Sequence, residues 1–185
     1  RELPVRYAIL AHDVGKAATA PSAWPRHIGH EGTGVRIADR MSERLKVPVD
    51  CRDAAHLAAR FHTVVHRALE LRGSPVLDLL TACDALRRPQ RLAWLLDACE
   101  ADACSRPGRS SDYVPGRVLR EALEVVKVVD AGTIARDVIA RRGASEAGGA
   151  GARTDLVKQA VRRARLEALR AWKRARDSGA AAAAG

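Results

Sequence analysis

An all-α fold is predicted by three observations. Ala, Leu, Val and Arg dominate the chain, while aromatic residues are only 3% of it. No run alternates Val, Ile, Thr and Tyr for long enough to suggest a sheet. Apolar residues recur instead at helical spacing, as at Val35, Ile37, Ala38, Met41 and Leu45. At 185 residues the chain can bury one good core, with an appended segment.

The elements follow in order. A first helix is expected over about 5–13, with Gly15 just past its C-terminus. A long loop then passes Pro21, Pro25 and Gly29. The second helix runs from about His30 to Lys46 and is broken by Val47-Pro48-Val49. Asp50 is a candidate N-cap for a third helix over about 51–71. Gly73-Ser74-Pro75 restarts the chain, with Ser74 as cap and Pro75 at the first helical position. That fourth helix carries Val76, Leu77, Leu79, Leu80, Cys83 and Asp84. Pro89 opens a fifth, through Leu92, Leu95, Leu96 and Cys99. Residues 105–116 read as a loop, and two further helices are expected over about 117–129 and 133–142.

Composition divides the rest. Residues 1–142 form the expected helical body, 143–153 a Gly/Ala linker, 154–177 a basic helix and 178–185 a disordered Ala-rich tail. Residues 153–177 hold nine Lys and Arg against Asp155, Glu167 and Asp177, a surplus of six within a net charge of +10. Leu156, Ala160, Val161, Ala164, Leu169 and Trp172 give it a partial apolar face. Such a helix either packs by that face with its charges in water, or contacts phosphates. The chain opens on Arg1-Glu2-Leu3-Pro4 without an initiator Met, and is read as an N-terminally truncated piece.

The charge and a pI near 10.3 favour an anionic partner, nucleic acid or a phosphorylated substrate, over a membrane. No apolar run is long enough to span a bilayer. Cys51, Cys83, Cys99 and Cys104 form no C-x-x-C pair, and no signal peptide precedes them. A reduced, cytoplasmic protein is expected.

The chemistry-bearing residues are histidines and aspartates. In Ala11-His12-Asp13-Val14-Gly15-Lys16 an imidazole and a carboxylate adjoin at the end of a helix. That ligand pair suits a divalent metal that must also touch phosphate. Successive helical residues point about 100° apart, so both can flank one ion only at a terminus or in a cleft. Pro25-Arg26-His27-Ile28-Gly29-His30 puts two imidazoles in a Gly-containing loop entering a helix. His62 and His66 lie at i, i+4 on one face, without the H-E-x-x-H of a zinc protease. Asp84 sits in an otherwise apolar helix, where a carboxylate wants a cation. The candidate ligands are therefore His12, Asp13, His30, His62 and Asp84, spread over four helical elements that a bundle can converge.

The order His-Asp, His, His, Asp resembles the HD-domain metal-dependent phosphohydrolases. The stretches AILAHDVGKAATAPSAWPRHIGHEGTGVRIADRMSERLKVP, CRDAAHLAARFHTVVHRALEL, LLTACDALRRPQRL and EADACSRPGRSSDYVPGRVLREALEVV resemble more closely the C-terminal HD half of the bacterial multifunctional CCA proteins. These are tRNA nucleotidyltransferases carrying an HD domain. The resemblance covers about 5–129 and extends weakly to AWKRAR. It implies an HD-domain-like helical bundle and a metal-dependent phosphohydrolase acting on 2′,3′-cyclic phosphodiesters, 2′-nucleotides and phosphomonoesters.

Carried over residue by residue, the resemblance implies metal ligands at His12, Asp13 and Asp84. It makes His12, Asp13, His30 and His62 the catalytic group, with His30 and His62 positioning phosphate, holding a second metal or donating a proton. Lys16, Arg26, Arg88 and Arg91 become phosphate or tRNA contacts. The implied cofactor is a divalent metal, Ni²⁺, Mg²⁺, Mn²⁺ or Co²⁺, with Mg²⁺ serving the nucleotidyltransferase head. That head, with its Gly-Ser turn and Asp-x-Asp motif, is not in this sequence, and the superfamily's first ligand His would lie upstream. The implied partners are tRNA, phosphorylated nucleotides and a second copy in a homodimer. Two rival readings stand beside this one: a non-catalytic tRNA-binding or dimerising body, and a nucleotide phosphohydrolase unrelated to tRNA.

Overall fold

The computed structural model of the chain describes residues 2–105, 112–142 and 150–183. It is all-α, with no strand among those residues. α1 is Leu3–Ala11, and two short 3₁₀ turns follow at Val14–Ala18 and Pro21–Ala23. The remaining helices are α2 His30–Leu45, α3 Val49–His66, α4 Gly73–Ala82, α5 Pro89–Cys104, α6 Val114–Lys127, α7 Ala131–Arg142 and α8 Ala150–Ala183. By internal contacts the chain forms two compact units. One is Arg1–Glu70 with Leu79–Leu119, the other Leu71–Asp78 with Arg120–Gly185.

In the first unit α1 packs on α3 and α5, and α2 packs on α3. Small residues permit these close approaches. Ala11, Ala38, Ala55 and Ala59 form one fully buried cluster, flanked by Tyr7, Val14, Val35 and Met41. Ser42 is buried in α2 and donates to the Ala38 carbonyl at 2.7 Å, while its hydroxyl meets Tyr7 Oη at 3.1 Å. Trp94 Nε1 donates to Glu2 at 2.8 Å and ties the start of α1 to α5. The large buried side chains are mostly leucines, among them Leu57, Leu79, Leu80, Leu92, Leu95, Leu96 and Leu119. The helical periodicity of the sequence placed these on one face of each helix.

Gly15 shows the closest approach. A Cβ there would lie 2.0 Å from the His30 carbonyl oxygen, 2.6 Å from Gly34 N and 2.8 Å from Gly34 Cα. The turn after α1 thus rests directly on the first turns of α2. Gly15 lies past the end of α1, where the sequence puts it, within the 3₁₀ turn, and its missing side chain serves packing.

The second unit centres on α7 paired with α8. Leu169 is buried, Arg162 Nη2 pairs with Asp78 at 2.8 Å, and Lys173 Nζ donates to the Leu71 carbonyl at 2.6 Å. Several expected boundaries move, among them the end of α3, at His66 and not near 71, and the start of α6, at Val114 and not near 117. α8 begins at Ala150, inside the stretch read as linker, and continues to Ala183, over 178–183 of the stretch read as a disordered tail, whose residues 184–185 lie outside the described residues. Alanine is the strongest helix former, so an Ala-rich end extends a helix already nucleated. The other expected linker residues, 143–149, lie outside the described residues. Asp50 does not cap α3: the helix starts one residue earlier, at Val49 after Pro48, and leaves Asp50 in its first turn. Among the described residues, no helix is long and apolar enough to cross a membrane. Among the described residues none of the four cysteines is in a disulfide, and burial pushes the Cys83 thiol up to about 12.

Candidate metal centre

The site is built where α1 stops. His12 is still right-handed helical, but Asp13 leaves that track at φ −109° and ψ 6°. This break lets two adjacent side chains turn to one place. α2 supplies His30 at its first position, after Gly29 in the left-handed region at φ +80°. α3 supplies His62, and one turn later His66. His30 and His62 are buried.

Hydrogen bonds decide the chemistry of the imidazoles. The Nδ1 atoms donate to backbone carbonyls: His12 to Ile9 at 2.7 Å, His30 to His27 at 2.9 Å, His62 to Ala58 at 2.8 Å. A carbonyl only accepts, so the proton sits on Nδ1 and each neutral ring keeps its lone pair on Nε2. His30 Nε2 and His62 Nε2 lie 3.3 Å apart. They stand 3.3 and 3.4 Å from Asp13 Oδ1, a buried oxygen without a hydrogen-bond partner. Three lone-pair donors thus face one another within 4.8 Å. Without a cation between them this arrangement is repulsive and leaves a buried acceptor unsatisfied. A proton is a poor substitute, because burial pushes the His62 pKa below 6.5 and the positive charges of His12 and His30 act in the same direction. The Ala58 carbonyl and Asp13 only partly oppose this shift. Two nitrogens and one carboxylate oxygen fit a first-row divalent metal.

The other carboxylate oxygen is neutralised. Lys16 Nζ donates to Asp13 Oδ2 at 2.6 Å, and His12 Nε2 lies 3.2 Å from it. Burial works to raise the Asp13 pKa, but the Lys16 hydrogen bond and the charges of His12, Lys16 and His62 hold it below 3.8. A further array borders the group. Asp102 Oδ1 lies 3.7 Å from His12 Nε2, and its Oδ2 3.4 Å from His66 Nε2. Tyr113 Oη is 2.8 Å from His66 Nδ1, and burial pushes its hydroxyl far up, so it stays protonated.

His12, Asp13, His30 and His62 therefore meet, and Lys16 joins them through Asp13. The expected ligand Asp84 does not. It follows α4 in a left-handed conformation at φ +52°, and its Oδ2 accepts from Arg88 Nε at 3.0 Å, with Arg87 Nε 3.9 Å away. Its carboxylate found a cation as buried-charge reasoning requires, but an arginine within the same turn. Arg88, expected at phosphate, is thereby engaged with Asp84. Arg91 is largely buried, with Nη1 3.6 Å from Asp53, and Arg26 is exposed in the loop before α2. Sequence reasoning missed Asp102 and Tyr113. Their signal was weak: an acidic residue on a helix read for its apolar face, and one of only two tyrosines.

Stability should follow the titration of the buried ligands. His62 has a depressed pKa, so it contributes stability that is present above 6.5 and lost as pH falls through its folded value. The melting temperature of the metal-free chain is expected to fall as pH drops from 7 to 5, at up to about 1.4 kcal/mol per pH unit for one proton. His62→Gln should flatten that slope. An unchanged slope in the variant would remove His62 as its source.

No family model and no solved structure matches the chain. It is similar to curated proteins named multifunctional CCA protein. Identity to that of Burkholderia lata is 44% over 168 residues, covering 90% of this chain and 38% of the relative. Identity to that of Cupriavidus taiwanensis is 50% over 135 residues, covering 72% and 32%. Identity to that of Nitrosomonas eutropha is 48% over 147 residues, covering 79% and 35%. The chain thus spans under two fifths of the length of the curated relatives it matches.

Proposed function

The chain is homologous to the C-terminal portion of the multifunctional CCA proteins, and from that premise we propose that it is their metal-dependent phosphohydrolase module. It acts on 2′,3′-cyclic phosphodiesters, 2′-nucleotides and phosphomonoesters, within a longer tRNA nucleotidyltransferase that builds and repairs the 3′ CCA end. The observation that carries the reading is the convergence of His30 Nε2, His62 Nε2 and the unpartnered Asp13 Oδ1.

Asp13, His30 and His62 would hold the ion, with His12 Nε2 beside them. A divalent ion there supplies Lewis acidity to a phosphoryl oxygen and acidity to water. Lys16 keeps Asp13 ionised and adds an ammonium next to the phosphate position. The Ile9, His27 and Ala58 carbonyls fix ring orientation and tautomer, the role second partners play for metal-binding histidines. Tyr113 holds His66 by Nδ1, His66 faces Asp102, and Asp102 faces His12. That array borders His12 at Nε2, the same ring atom that lies near Asp13.

The test is hydrolysis of 2′,3′-cyclic AMP after chelation and after return of Ni²⁺, Mn²⁺ or Mg²⁺. Turnover should vanish on chelation and return with metal, and His12→Ala should lower it about 10- to 100-fold. Turnover indifferent to both treatments rejects the reading.

One observation favours the rival reading of a tRNA-binding body. Arg163, Arg170 and Arg174 are exposed on α8 and make no ion pair among the described residues. Their i, i+7, i+11 spacing sets them in a row on one face, suited to successive phosphates. Salt-sensitive tRNA binding that survives chelation, from a chain without hydrolytic turnover, would favour that body over the enzyme.

A further inference from the structure

The loop joining the turn after α1 to α2 exposes an indole that the metal chemistry does not use. Trp24 is 60% exposed, and Ile28, four residues on, is 75% exposed. The other two tryptophans are withdrawn: Trp94 is buried and Trp172 half-buried. A tryptophan carries roughly 150–250 Å² of buriable surface, so leaving one in water forgoes more than for any other residue. The loop backbone keeps it there. Trp24 N–H donates to the Pro21 carbonyl at 3.1 Å, and His27 N–H to the Ala23 carbonyl at 2.8 Å.

His27 lies against the indole, with ring centroids 6.2 Å apart and planes tilted by 41°. It is bound to both halves of the metal centre. Its carbonyl accepts the Nδ1 proton of His30 at 2.9 Å. Its own Nδ1 meets Thr19 Oγ1 at 2.5 Å, and that hydroxyl donates to the Lys16 carbonyl at 2.8 Å. The hydroxyl proton is thereby used, so the imidazole donates. Lys16 in turn holds Asp13. A short hydrogen-bonded path thus runs from the exposed aromatic pair to Asp13 on one side and His30 on the other. An exposed aromatic surface tied in this way to the groups around a phosphate position suits a ligand that carries a flat ring as well as a phosphate.

We propose that Trp24, backed by His27, is a nucleobase platform. A base stacks on the exposed indole while its phosphate occupies the Asp13–His30–His62 site. This rests on the phosphohydrolase reading and adds to it the residue that holds the base, selecting nucleoside phosphates of any base over phosphate esters without one. Stacking tolerates every base because each has a π-face. Specificity on this side is therefore for the presence of a base.

The experiment is a binding titration of the full chain with Mg²⁺, followed by tryptophan fluorescence and calorimetry. The ligands are 2′,3′-cyclic AMP, 2′,3′-cyclic CMP and ribose 5-phosphate. Both cyclic nucleotides should quench the indole emission of the wild-type chain. Trp24→Ala should remove the quench and weaken both about tenfold, with ribose 5-phosphate unchanged. Trp24→Phe should restore most of the affinity. The proposal is overturned if Trp24→Ala binds cyclic AMP as tightly as the wild type, or loses ribose 5-phosphate equally, or if the folded chain binds no cyclic nucleotide. The two readings fail separately. Trp24-dependent binding without any hydrolysis sinks the hydrolase and keeps the platform. Hydrolysis of cyclic AMP with Trp24→Ala indistinguishable in KM and kcat does the reverse.

Discussion

Asp13→Asn is expected to lower metal-dependent turnover of a cyclic phosphodiester by about a thousandfold or more, and to stabilise the metal-free chain by about 1 kcal/mol. The two effects have one cause. Asp13 is the only carboxylate among the three converging ligands, and the imidazoles bring no charge. The amide keeps the shape, and its oxygen can still accept from Lys16, which now sits 2.6 Å from Oδ2. The negative charge that would hold a divalent ion is gone. In the metal-free chain, however, the amide NH₂ can donate to His30 and His62 Nε2, where Oδ1 now offers a third lone pair. The lost Lys16–Asp13 attraction subtracts little, since the lysine is 42% exposed and screened. Paired measurements of turnover and metal-free melting check both signs. A variant that keeps activity within a few-fold ends the metal assignment. One that melts markedly lower makes Asp13 a structural ion-pair partner instead.

Gly15→Ala should cost about 2–4 kcal/mol and lose metal binding with it. All three atoms that the new methyl would meet are backbone, the nearest at 2.0 Å. No side chain can rotate away, so the turn carrying Asp13 and Lys16 must lift off the start of α2, which carries His30. Ligand atoms now 3.3 Å apart would separate. Two nearby glycines are controls. A Cβ on Gly34 meets its neighbours at 3.4–3.7 Å, and a helical alanine gains propensity, so Gly34→Ala should stay within about 1 kcal/mol. Gly29 has open space but φ +80°, so Gly29→Ala should cost about 1 kcal/mol through its backbone alone. Urea denaturation of the three variants orders them. Gly15→Ala as stable as Gly34→Ala would contradict the close packing.

Much of this was legible in the residues. The helices fall close to where apolar spacing and the Pro and Gly punctuation put them. Pro89 opens α5, and His30 opens α2. Four of the candidate ligands meet. Asp84 was misread because two local signals, a carboxylate on an apolar helix and an arginine following it, were read as two sites. At i, i+4 they are partners on one turn, and the pairing satisfies both.

The sequence by itself determined the fold class, the helix faces and the residue types able to bind a metal. These depend on neighbours within a turn or two, and a period of 3.6 residues records them directly. Tertiary structure alone decided which groups share a site. Asp13, His30 and His62 come from three helical segments, and their ligand atoms come within 4.8 Å of one another only because Gly15 lets two backbones touch. The choice of Asp102 over Asp84 beside His12 has the same origin. Which helix faces which is set by packing between residues far apart in the chain, and local spacing carries no record of it.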